Sequence, residues 1–137
     1  NNRRFDNSLL VIVSGDDESL PICIIIDVLT RRNGVNSTII GNVENFIDPF
    51  FDIDFQRYIN KLSKRVKGKT IIIVVSHNGT AIRFLHSSLV NQDVKEKYEI
   101  IVFSNNTIKE KLEKLVSSPI YTDIEPFLSK LEIKNTN

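Results

Sequence analysis

Tryptophan and methionine are absent from these 137 residues, and cysteine occurs once, at Cys23. A single cysteine excludes an internal disulfide and a cysteine-rich zinc site. Lying inside an apolar run, Cys23 reads as a small hydrophobe, compatible with a reducing compartment. No two of the histidine, cysteine and acidic residues have the spacing of a zinc site, so no structural metal and no cofactor are expected. An excess of either charge is also missing: 18 Lys+Arg stand against 17 Asp+Glu, a net charge of +1. There is thus no overall field to draw in nucleic acid or an anionic membrane, and any anion site must be local. No apolar stretch reaches the ~20 residues that span a bilayer, and the opening NNRRFDNSLL is too polar for a signal peptide. A soluble, cytoplasmic protein is the expectation. No internal repeat and no low-complexity linker divide the chain, so residues 1–137 read as one domain, large enough to bury a real core. The richness in Ile, Asn, Lys and Ser suggests coding bias or a piece of a longer chain.

What is present is organised around Thr70 to Thr80, TIIIVVSHNGT. Thr70 to Val75 are β-branched throughout, and a run without alternation reads as a strand buried on both faces. The run stops at Ser76-His77-Asn78-Gly79-Thr80, ahead of an amphipathic helical segment from Ala81 to Val90. The same order occurs earlier. Leu9 to Val13 is a short apolar run ending at Ser14-Gly15-Asp16-Asp17-Glu18-Ser19, after which Leu20-Pro21 opens a helix. Pro21 suits a first helical turn and Ser19 is a plausible cap. From Ile22 to Leu29 this helix is apolar nearly all round, broken only by Asp27, so it should be covered on two sides; a subunit interface is one way to supply the second. Arg31, Arg32, Asn33 and Gly34 close it, with cations in the last turn and a left-handed cap.

Val35 to Ile40 reads as the second strand, and Gly41 to Ile53 has no regular signal. Phe55, Tyr58, Ile59, Leu62 and Val66 have the spacing of a helix with one buried stripe, capped by Asp54. Tyr98 to Phe103 is a fourth strand that runs into Ser104-Asn105-Asn106-Thr107, a third polar strand end. Ile108, Leu112, Leu115 and Val116 form another helical stripe, Ile120-Tyr121 a short edge strand, and Ile124 to Leu131 a last helix. Strands alternating with helices imply a three-layer, doubly wound α/β sandwich, flavodoxin- or Rossmann-like, with a parallel sheet of four to five strands. Its common order is 2-1-3-4-5, which sets the turns after the first and third strands side by side. Hydroxyls, amides and helix N-terminal N–H groups would meet there, a place for a phosphate or carboxylate without basic side chains.

Each residue has a plainer reading. Ser19 and Thr80 are in cap positions, and Asp16, Asp17 and Glu18 are ordinary dipole partners ahead of a helix before they are a metal or acid–base cluster. His77, at the mouth of the cleft, either lends a turn hydrogen bond or meets an oxyanion or a proton. His86 is a surface or packing residue.

The two turns, in this order and separation, resemble the SIS (sugar isomerase) family of phosphosugar-binding domains. There a glycine-containing turn with a serine follows the first strand, as in Ser14-Gly15-Asp16-Asp17-Glu18-Ser19, and a pattern like S-x-S-G-x-T follows the third, as in Ser76-His77-Asn78-Gly79-Thr80-Ala81. The likeness runs over roughly residues 8 to 121. It departs in the longer, acidic first turn, in Asn78 where a serine is usual, and in Ala81 where threonine is usual. The resemblance implies a domain that holds a sugar phosphate without metal, commonly as a homodimer. Such a domain would be part of an aldose–ketose isomerase or aminotransferase, its base supplied from beyond the core. Ser14, Gly15, Ser19, Ser76, His77, Asn78, Gly79 and Thr80 would line the ligand. A nucleotide-sensing Rossmann-like domain suits a polar switch-point cleft equally, and a purely structural dimerisation module is the remaining alternative. A receiver domain is excluded because no aspartate ends the third strand, and the acidic first turn makes a poor flavin phosphate loop. The histidine-phosphatase reading of Ser76-His77-Asn78-Gly79 lacks an Arg-His-Gly motif after the first strand.

Overall fold

The computed structural model of the chain describes residues 7–41, 43, 51–79 and 98–134. Thr80, His86 and the helix expected from Ala81 to Val90 lie outside the described residues. Five strands form one parallel sheet: β1 (Leu9–Ser14), β2 (Asn36–Ile40), β3 (Thr70–Val75), β4 (Tyr98–Phe103) and β5 (Ile120–Tyr121), in the order β2-β1-β3-β4-β5. This is the doubly wound, flavodoxin-like α/β arrangement expected from the strand–helix alternation.

β1 and β3 are buried along their whole length, which explains why neither shows a polar–apolar alternation. Alternate residues serve opposite faces. Leu9, Val11 and Val13 pack with Phe55 and Ile59 of α2 (Phe51–Ser63) and with Leu112 of α3 (Asn106–Glu113). Leu10 and Ile12 pack on the other side with Cys23, Ile26 and Leu29 of α1 (Leu20–Arg32) and with Phe127 and Leu128 of α4 (Ile124–Lys130). Ile71, Ile72 and Ile73 are fully buried, and each such side chain contributes about 1.5–3 kcal/mol relative to exposure.

The expected elements need three adjustments. The second helix runs from Phe51 to Ser63, so Asp54 lies inside its first turn and is not its cap, and Val66 lies beyond its end. Ser19 precedes α1 but its side chain makes no cap bond to the helix, because its hydroxyl is turned elsewhere. Leu115 lies beyond the end of α3 and is 47% exposed, leaving Leu112 and Val116 as the buried members of that stripe. α1 closes as its sequence implies. Gly34 has φ +78, its N–H donates to Arg31 O at 3.0 Å, and Val35 N–H donates to Thr30 O at 3.2 Å.

Candidate functional site

The register carries the site. Ser14 at the end of β1 stands opposite Val75 at the end of β3, so the turns that follow emerge as neighbours. Gly15 N–H donates to Val75 O at 2.7 Å and ties the first turn to the third strand. The next strand end joins them: Ser76 N–H donates to Phe103 O at 3.0 Å, Ser104 Oγ donates to Ser76 O at 2.8 Å, and Asn105 Nδ2 donates to His77 O at 2.6 Å. All three polar turns foreseen in the sequence thus meet at the C-terminal edge of the sheet, at the switch point where open α/β sheets place ligands.

One side chain joins the first two turns. Asp16, 4% exposed, opens a short 3-10 turn (Asp17–Ser19) whose Ser19 N–H and Ser19 Oγ both donate to Asp16 Oδ1, at 3.0 and 2.6 Å. Its other oxygen crosses to the β3 turn, where Oδ2 accepts from Ser76 Oγ at 2.9 Å, His77 N–H at 2.9 Å and Asn78 N–H at 3.4 Å. The donors that the sequence offers to a phosphate are therefore gathered around the chain's own carboxylate. Burial is the largest single influence on Asp16 and raises its pKa. The bonds from Ser19, Ser76, His77 and Asn78 together outweigh it and hold the carboxyl below the usual carboxylate value.

An ionised Asp16 settles the tautomer of the neighbouring imidazole. Ser19 has one hydroxyl proton, and it goes to Asp16 Oδ1, so Ser19 Oγ accepts from His77 Nδ1–H across the 3.0 Å contact. In neutral His77 the lone pair is then on Nε2, which suits accepting a hydrogen bond or a proton from a bound molecule. Asp16, Ser19 and His77 form one hydrogen-bonded chain from a buried charge to a half-buried ring.

The remaining members of the sequence-based set fall into two groups. Ser14, Ser19 and Ser76 are fully buried; Ser14 Oγ donates to Asp16 O at 2.8 Å, and the other two serve the Asp16 carboxylate. Gly15 is a backbone tie, and Gly79, at φ +78, closes the β3 turn with its N–H donating to Ser76 Oγ at 3.3 Å. Asn78 is exposed.

Beside this cluster a cavity of about 460 Å³ opens, and among the described members of the set His77 alone is on its wall. Ile22, Ile25, Leu29, Val75, Phe103 and Ile124 make its apolar side. Ser104, Asn105, Asn106, Thr122 and Asp123 complete the polar side with His77. Among the described residues no lysine or arginine side chain lines it. Sequence reasoning marked Ser104 to Asn106 as a polar strand end but did not place them in the site. The Thr122-Asp123 turn went unmarked because a two-residue strand precedes it and gives little signal. Among the described residues no group of three or more His, Cys, Asp and Glu side chains is placed to hold a metal ion. No described helix is long and apolar enough to cross a membrane. No protein-family model matches this chain, and no curated protein does either.

Proposed function

We propose that the domain binds a nucleotide or nucleoside-like molecule in the cavity over the ends of β3 and β4. The observation that carries this reading is the division of the lining into an apolar wall and a hydrogen-bonding wall. A flat heterocycle fits between Ile22, Ile25, Leu29 and Phe103, while its polar edge and ribose face His77, Ser104, Asn105 and Thr122. A volume of about 460 Å³ lies within the ~300–1,000 Å³ of small-molecule pockets. A phosphate would meet the start of α3: the Asn105 side chain caps Ile108 N–H, and the first-turn N–H groups of Asn106 and Thr107 have no intrahelical partner.

The second reading is the sugar phosphate to which the two turns point, whether bound by an isomerase or by a non-catalytic module. The ring of hydroxyl and amide groups from Ser104 to Asn106 supports it. Asp16 works against placing the phosphate between the two turns, since an anion there would face a carboxylate that already holds the donors.

Calorimetric titration with AMP, a cyclic oligonucleotide, fructose 6-phosphate and glucosamine 6-phosphate separates the two. Heat from a nucleotide ligand, with binding weakened about tenfold by His77→Ala, is the expected result, since one lost hydrogen bond of about 1.4 kcal/mol is a factor of ten. Heat from the sugar phosphates alone selects the second reading. Silence from all four removes both and leaves the structural module.

A further inference from the structure

From the outer face of α1 we infer that two copies of this chain associate through an antiparallel pairing of their first helices. Ile24, Ile25 and Val28 are 48%, 52% and 40% exposed, three of the five large exposed hydrophobics among the described residues. With Pro21 they form one stripe, spaced three and four residues apart, on the side of α1 away from Cys23 and Ile26, with Ile25 at the edge that borders the cavity. A helix with this much apolar surface on its outer side calls for a cover.

The charges at the two ends of the same stripe say what the cover is. Asp17 and Glu18 are exposed on the turn that leads into α1, and Arg31 and Arg32 are exposed in its last turn. Turn a second copy end for end about a twofold axis between Ile24 and Ile25, and every position finds a complement. Ile24 meets Ile25 and Pro21 meets Val28, while Asp17 faces Arg32 and Glu18 faces Arg31. A parallel pairing would instead set acid against acid and base against base. Arg31 already bonds Asp27 of its own helix at 3.2 Å with its side chain 62% exposed, so Glu18 of the other copy would extend an existing pair. Such a contact is isologous and closed, as a C2 dimer requires.

Apolar burial supplies the affinity and the charges select the orientation, because exposed ion pairs each contribute little. Few residues take part compared with the 20–30 on each side of a standard interface, so the dimer is weak and concentration-dependent. Ile25 also stands on the cavity wall, whereas Ile24 and Val28 do not line it, so changes at Ile24 and Val28 test the interface apart from the ligand.

Sedimentation equilibrium on the whole chain, from about 10 µM to about 1 mM, should show the average mass rising from one chain toward two. Ile24→Glu/Val28→Glu should stay monomeric with an unchanged circular dichroism spectrum, since both residues are exposed. Asp17→Arg or Arg32→Glu alone should weaken the dimer about threefold to tenfold, each appearing twice across the axis. Asp17→Arg and Arg32→Glu together restore opposite charges and should return the constant to within about twofold of the parent, by additivity of compensating pairs. A parent monomeric at 1 mM overturns the proposal. So does a dimer that survives the double glutamate change, or single reversals that change nothing, or a charge swap no better than the singles.

Discussion

At the scale of single residues, Asp16 is the hub on which both turns depend. Its two oxygens receive two hydroxyl and three backbone N–H donors. Asp16→Ala would remove the carboxylate shared by the buried Ser19 and Ser76 hydroxyls and the His77 N–H, at about 1–3 kcal/mol for each donor left unpaired. We expect a loss of about 3 kcal/mol or more in urea unfolding, and a loss under 1 kcal/mol would show that water replaces the carboxylate freely. The pH dependence follows from the direction of the shift. A carboxyl held below its unfolded value contributes stability that is fully present above the unfolded pKa, about 3.9 for Asp, and is lost as the pH falls through the folded value. The gap in urea midpoint between parent and Asp16→Asn should therefore be widest near neutral pH and narrow below about pH 4. A gap that does not change with pH would remove the charge from this account. Cys23, fully buried, should be inert: burial, the largest influence, helps push its thiol up to about 12, so little thiolate exists near neutral pH. Labelling by a thiol reagent should track global unfolding, and rapid labelling of the folded chain would contradict the packing. Little of this hub was legible in advance. That polar turns follow β1 and β3 shows in the residue types, but Asp16 meets His77 across 61 positions of sequence, and a contact of that kind leaves no local trace. Ser19 was misread for the same reason, its hydroxyl being claimed by Asp16 and His77 rather than by the helix it precedes.

At the scale of elements, legibility followed the strength of the local signal. β3 and β4 occupy the stretches their apolar runs mark, because β-branched and aromatic runs between polar turns leave no competing period. The start of α2 was missed by four residues. Pro49 and the aspartates before Phe55 look like a loop in isolation, whereas Asp54 is an acid in the first turn of a helix that begins at Phe51. The joint between α2 and β3 depends on a glycine for want of space. Gly68 N–H donates to Asn7 O at 2.7 Å, and a Cβ at Gly68 would lie 2.7 Å from Asn7 C and O and 2.9 Å from Ser8 N. These are backbone atoms at the start of β1 and cannot step aside without moving the strand. Gly68→Ala should cost about 1–3 kcal/mol as an overpacking change, read as a lowered urea midpoint. Gly41, whose Cβ would meet nothing within 4 Å, is the control: an alanine there should leave the midpoint within about 0.5 kcal/mol of the parent. Equal effects at the two positions would refute the steric account.

At the scale of the whole molecule, the sheet order decides both where a ligand can sit and which parts hold longest. β1 and β3 are central, each paired on both sides and buried at all six positions, while β2 is a partly exposed edge and β5 an edge of two residues. Opening the sheet from an edge breaks one ladder, whereas opening it at β1 or β3 breaks two and exposes both apolar layers at once. The local free energy of opening should therefore rise from the edges to the centre. In native-state hydrogen exchange, the amides of Leu10 to Val13 and Ile71 to Val75 should exchange only through global unfolding, with free energies equal to that from urea. Ser37 to Ile39 and Tyr121 should exchange at lower free energy and with little dependence on urea, since their opening exposes little surface. The cavity adjoins β3 and β4, but its Thr122-Asp123-Ile124 wall follows the two-residue edge strand, so one side of the site is firm and the other is carried by the weakest ladder. A bound nucleotide at about 100 times its Kd would add about 2.7 kcal/mol to global stability, and should raise protection at Tyr121 if that wall closes on it. If β3 exchanged as readily as β2, the centre-to-edge gradient would be wrong, and with it the reason for a ligand to settle at the switch point.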